Sequence, residues 1–296
     1  MSLAMFLTAC GSSSSGEPAA APSGSAGGAA VSVVASTNVY GDIVKQIAGD
    51  RASITSIISN PDADPHSYEA NTRTQLELSK AKVVVENGGG YDDFVDTMLK
   101  SAGGSPKVLN VVDISGRKAE GGGELNEHVW YDFPTVQKLA DQLAAALGEA
   151  DPAGAATYTA NAATFKQKVQ QLQAREAAIK AAHTGAGVAV TEPVPLYLLE
   201  ACGLVNKTPE EFSEAIEEGT DVPASVLQET IDLFAHKDVA LLAYNEQTTG
   251  PETEKVLNAA KAANVAVVPV TETLPAGKDY LTWMDGNLTA IGTALT

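Results

Sequence analysis

Hydrophobic and polar positions alternate along the chain in short rhythms, and one stretch stands apart by its length. From Asp151 to Gly185 the apolar residues Tyr158, Phe165, Val169, Leu172 and Ile179 recur at steps of seven, four, three and seven, which draws one stripe along a helix. Lys166, Gln167, Lys168, Gln171, Arg175 and Glu176 fall largely off it. Asp151-Pro152 offers an N-cap and a proline in the one helical position that tolerates it, and Lys180, His183 and Gly185 mark the other end. At ~1.5 Å per residue, about 31 residues span ~46 Å, longer than a small domain is wide. A helix of that length is expected to join two bodies.

On either side of it, β-branched runs alternate with helical patterns. Val31 to Ala35 reads as a buried strand, Tyr40 to Ala48 as a helix, Ala52 to Ser59 as a strand and Thr72 to Lys82 as a helix. Val83 to Glu86 is a strand ended by Gly88-Gly89-Gly90, Tyr91 to Ser101 a helix, Lys107 to Val112 a strand and Pro134 to Gly148 a helix, with an exposed loop at Gly116 to Gly123. Beyond the long helix the rhythm returns: strand Gly187 to Thr191, helices Leu196 to Ala201 and Ala224 to Lys237, strand Val239 to Ala243, helix Thr253 to Ala263, strand Val265 to Val270 and helix Tyr280 to Leu295. This alternation implies parallel sheet. The expected fold is α/β, with two similar lobes at residues 31–150 and 186–296 joined by one rigid helix at 151–185. No residue-level repeat relates the two halves.

Composition sharpens this picture in two ways. About 265 residues remain after the first 30, roughly twice a typical domain, and 44% hydrophobic residues suffice for two cores. The net charge of −18 disfavours nucleic acid and anionic membrane surfaces, because phosphates would be repelled, and it suits a cationic ligand.

Residues 1–30 carry a different signal. Leu7-Thr8-Ala9-Cys10 resembles the lipobox of bacterial lipoproteins, in which the cysteine is lipidated, and the Ser/Gly/Ala/Pro tract that follows has the composition of a flexible tether. Six residues before the box, without Lys or Arg, fall short of a signal peptide, so the start is expected to be truncated or misassigned. Cys202 is the other cysteine, which leaves no intramolecular disulfide once Cys10 is lipidated; its neighbours make it a small core residue. No later apolar run approaches the ~20 residues that span a bilayer.

Four histidines can be weighed individually. His183 and His236 each end a helix, where the dipole favours a cation and nothing further is required. His66, in Asn60 to Glu69, and His128, in Leu125 to Asp132, lie in loops, the first directly after a strand, where open α/β sheets place ligands. Two loop histidines alone leave shared metal binding and mere solvation both open.

Taken together, these motifs make residues 31–296 resemble the zinc- and manganese-binding solute-binding proteins of bacterial ABC importers, the family that includes the pneumococcal surface adhesin. Val31 to Asp50 is similar to the strand and helix that open the family's first lobe. Asp64-Pro-His-Ser-Tyr-Glu69 resembles the loop that gives the first ligand, and His128, Trp130 and Asp132 resemble the second. The resemblance implies a third ligand at Glu192, five residues before Tyr197, and a fourth at Glu272, ahead of Tyr280, Met284 and Asn287-Leu288. The departures are Glu272 where Asp is usual, Glu127 where Pro is frequent, which makes it a partner of the ligands, and no histidine in Gly116 to Glu124, where zinc members often carry many.

Two neutral imidazoles and two carboxylates form an N2O2 set for a divalent first-row metal, with each lobe giving two ligands and the metal bridging the cleft. Their net charge of about −2 cancels the ion. The function expected from the resemblance is capture of Mn(II) or Zn(II) outside the membrane by a monomer tethered through Cys10, and delivery to an ABC permease and its ATPase. The ligand set favours manganese as cargo. A surface adhesin is the alternative that acidity and an anchor permit. A metallohydrolase is disfavoured, because catalysis needs an open coordination position and a nearby base, and no His-Glu-x-x-His helix is present.

Overall fold

The computed structural model describes Met1 and residues 30–63, 65, 68, 71–119 and 124–296. Cys10, the tether and His66 lie outside the described residues. The first half runs β1 (Val31–Thr37), α1 (Asn38–Ala48), β2 (Ala52–Ile58), α2 (Thr72–Lys80), β3 (Val83–Glu86), α3 (Asp93–Ala102), β4 (Lys107–Asn110), α4 (Val111–Ser115) and α5 (Phe133–Ala150). A long helix, α6 (Ala155–His183), follows. The second half contains β5 (Gly187–Val190), α7 (Leu196–Ala201), β6 (Val205–Asn206), α8 (Glu210–Glu217), α9 (Ala224–Ala235), β7 (Leu241–Asn245), α10 (Pro251–Ala262), β8 (Ala266–Val270) and α11 (Tyr280–Ala294).

Each half builds a four-stranded parallel sheet, in the orders β2-β1-β3-β4 and β6-β5-β7-β8. The two orders are the same when counted from each half's first strand, so the lobes share a topology that no residue repeat discloses. In both, the order reverses beside the first strand, and the crevice outside the carboxyl ends of the strands there is where such sheets bind ligands.

The 29-residue α6 is ~43 Å long at 1.5 Å per residue. It buries Tyr158, Ala162, Phe165, Val169, Leu172 and Glu176, so the stripe is the expected one with a correction: Glu176 lies on it. Asp151 corrects a second reading, since its side chain does not cap the helix. Its carboxylate accepts from Arg51 at 2.8 Å and from the Tyr158 hydroxyl at 2.8 Å.

The interior is not two separate cores. One apolar cluster runs from β1 and α1 through Trp130, Tyr131, the α5 and α6 stripes, Tyr280 and Trp283 into β5 and β7, while smaller clusters fill the outer face of each sheet. Hydrogen bonds reinforce this continuity. Asn38 and Leu274 exchange two, at 3.0 and 2.8 Å; Tyr131 donates to the Thr271 carbonyl at 2.8 Å and Tyr280 to that of Trp130 at 2.7 Å. Cys202 is buried in this cluster. Among the described residues no helix is long and apolar enough to cross a membrane.

Candidate metal centre

Asn126 begins the site. Its side-chain oxygen accepts from the backbone N–H of His128 at 3.0 Å and lies 2.8 Å from the imidazole Nδ1. An oxygen that already accepts from a backbone N–H requires Nδ1 to be the protonated nitrogen, which turns Nε2 inward. Asn126 is itself held by the other lobe: its amide donates to the Pro193 carbonyl at 3.0 Å, and the Tyr197 hydroxyl donates to its carbonyl at 2.6 Å. One tight helical turn, Val129–Tyr131, then buries three side chains and locks the loop in place. Trp130 and Tyr91 pack their rings edge-on to the imidazole at 5.1 and 5.9 Å, and His128 is 0% exposed.

Two carboxylates face Nε2. Glu272 Oε2 lies 3.8 Å away and Glu217 Oε1 3.4 Å away. Glu272 follows β8, is 1% exposed, and accepts from the Asn245 amide at 3.0 Å. Its backbone N–H donates to the Gln247 side chain, whose amide reaches the carbonyls of Pro61 at 3.1 Å and Ala63 at 2.9 Å. The loop leading to His66 is thereby tied to the second lobe.

Glu192 stands where β5 ends, because Pro193 and Pro195 cannot extend the ladder. It is 2% exposed, and its Oε2 has no hydrogen-bond partner among the described residues. Burial, then the charge of Glu272, lifts its carboxyl to about 8. Burial works the other way on His128 and would lower it, but Glu272, Glu127 and Glu217 prevail and raise the imidazole to about 9. A protonated imidazole is thus the cation of this pocket when no metal occupies it.

The structure brings His128, Glu192 and Glu272 to one buried locus at the carboxyl ends of the second sheet's strands. His183 sits in the last turn of α6 and His236 caps the end of α9. The sequence pattern singles out neither Glu217 nor Asn126. Glu217 lies in an acidic run that reads as solvated surface, in a helix that the rhythm of the second half does not reveal. The available signal was Phe212, Ala215 and Ile216 at helical spacing after Pro209. Glu217 also removes the simple charge balance of two imidazoles with two carboxylates. With Glu127 it forms a group around His128 in which one ligand atom of each lies within 4.8 Å of the others. The donors are hard oxygens and imidazole nitrogen, with His128, Glu192 and Glu272 buried and Glu127 and Glu217 partly so, which is an environment that fits a divalent metal.

Comparison with known proteins finds relatives in both sequence and structure. The manganese-binding lipoprotein MntA of Halalkalibacterium halodurans is 29% identical over 173 residues, 58% of this chain and 55% of that protein. The matched stretch thus spans about half the length of such curated relatives. Among solved structures, the periplasmic zinc-binding protein TroA from Treponema pallidum superimposes with a TM-score of 0.76 at 20% identity, over 91% of this chain and all of that one. A mutant of the laminin-binding adhesin Lmb from Streptococcus agalactiae gives 0.77 at 20% identity, over 90% of this chain and 100% of the other. At that identity the likeness establishes the fold. The sequence pattern of the zinc-uptake complex component A, periplasmic (ZnuA), matches residues 33–294, and the chain belongs to that family.

Proposed function

We propose that this protein is an extracytoplasmic solute-binding protein that captures Mn(II) or Zn(II) and hands it to an ABC permease and its ATPase. The metal is cargo, and the protein acts by binding and release rather than by turnover. His66, His128, Glu192 and Glu272 are the ligands in this reading, with the lobes at 31–150 and 186–296 and the linking helix at 151–185 as its working parts. Cys10 carries the lipid that holds the monomer at the outer face of the cell membrane.

The observation that carries the reading is the buried His128, its Nδ1 fixed by Asn126 and its Nε2 turned toward Glu272 and Glu217. Orientation of an imidazole by a hydrogen bond on its far nitrogen is the usual support of a metal-ligating histidine. Burying this many carboxyl groups without a cation would be costly, and the bound ion offsets it. The curated relative named as manganese-binding supports manganese, and the carboxylate-rich donor set agrees; raw affinity still favours zinc in vitro by the Irving–Williams order.

The test is elemental analysis of protein purified without metal supplements, followed by competition titration against a calibrated chelator. One Mn or Zn per chain is expected, with zinc the tighter of the two in vitro. Protein that arrives metal-free and binds neither ion would refute the proposal.

A further inference from the structure

The face of α8 formed by Glu210, Glu214 and Glu217 lines a surface cavity together with Glu218, and Glu124 and Glu127 line its other side. All six belong to one cavity whose inner end is Glu217, since the Glu217 carboxylate reaches 3.4 Å from the fully buried His128 Nε2. An acidic cavity alone would be a solvated face. Here the nitrogen of a fully buried imidazole points at one of its carboxylates, and the 1% exposed Glu272 brings a second carboxylate to 3.8 Å from the same nitrogen.

We propose that Glu217 is a further metal-contacting carboxylate, the group that receives the divalent cation from the acidic cavity and shares it with His128. This inference rests on the metal-capture reading above. It follows from position: Glu217 faces both the cavity and the imidazole, so a cation entering there meets its oxygen beside Nε2. The cavity gathers cations by charge, and α8 carries the contacting group.

The experiment compares apo wild-type protein with Glu217→Gln, Glu217→Asp and Glu229→Gln, the last removing one charge from the exposed side of α9. The probes are Co(II), whose visible bands report its coordination, and Mn(II) affinity by chelator competition. Glu217→Gln is expected to change the Co(II) bands and to weaken Mn(II) binding by about tenfold or more, the scale of a lost ligand-supporting contact. Glu217→Asp, one methylene shorter, is expected to shift the bands as well, and Glu229→Gln to change neither reading. Co(II) bands identical to wild type in both Glu217 variants overturn the proposal, even if affinity falls, because charge acting through space leaves coordination unchanged. His128→Ala separates the two readings. If it binds Co(II) like wild type, the site itself is misassigned; if it loses Co(II) while the Glu217 variants keep the wild-type bands, only the role of Glu217 fails.

Discussion

His128 and Glu192 carry protons that a metal must displace. With the imidazole raised to about 9 and the Glu192 carboxyl to about 8, both are protonated at pH 7 in the apo protein. Ligation needs the neutral imidazole and the ionised carboxylate, so binding at pH 7 releases up to about two protons per ion. Apparent affinity therefore rises with pH by up to about tenfold per unit for each proton displaced, and flattens once the pH passes both values. Calorimetric titration in buffers of different ionisation enthalpy measures the proton count. A count of zero at pH 7 would show that neither group is a ligand. At this scale the sequence was legible where a residue type is rare: His128, one of four histidines, stood out in its loop. It was opaque for glutamates, because a buried and a solvated Glu are written alike, and resemblance supplied Glu192 and Glu272 whereas nothing supplied Glu217.

Among the elements, α6 presents a carboxyl to the interior. Glu176 is 6% exposed, its Oε1 lacks a hydrogen-bond partner among the described residues, and burial, then the charge of Asp132, lifts it to about 8. In the unfolded chain it titrates near 4.5. Between those values the folded state holds a proton that the unfolded state has released, so the contribution to stability is full below the lower pKa and is lost as pH rises through the upper one. The slope is up to about −1.4 kcal/mol per pH unit. Glu176→Gln keeps the shape without the titration, and its apo melting temperature is expected to fall less than that of wild type between pH 5 and pH 8. Parallel profiles would mean that Glu176 is ionised in the fold.

The elements themselves were legible wherever periodicity and end signals coincide. Strand β3 and helix α7 lie where the pattern puts them, and the stripe of α6 does so except that Glu176 joins it. Local side-chain chemistry decided the departures. Val111 and Val112 extend the strand in sequence, but the Asn110 side chain accepts from the Asp113 N–H and turns them into α4. The two-residue β6 is too short to show a period, and the acidic run at the start of α8 masks its apolar face.

For the molecule as a whole, the continuous central cluster and the cross-lobe hydrogen bonds of Asn38, Asn126, Tyr131, Gln247 and Tyr280 set the scale of motion. Wide hinge opening would expose that cluster, whereas loop and α8 adjustments would not. Small-angle scattering is expected to show little change in radius of gyration on adding Mn(II). A decrease of several ångströms would contradict a rigid link. The number of lobes was legible in the chain's rhythm; the sharing of one core between them was not, because apolar periodicity says which face is buried and not against which neighbour.

The most direct test of the central claim is Mn(II) titration, followed by the loss of free-ion signal, in four single-alanine variants of the histidines. The proposed site requires one ion per chain in wild type, in His183→Ala and in His236→Ala, and binding lost or weakened by at least about tenfold in His128→Ala and His66→Ala. Equal loss in all four variants, or full binding in His128→Ala, would contradict it.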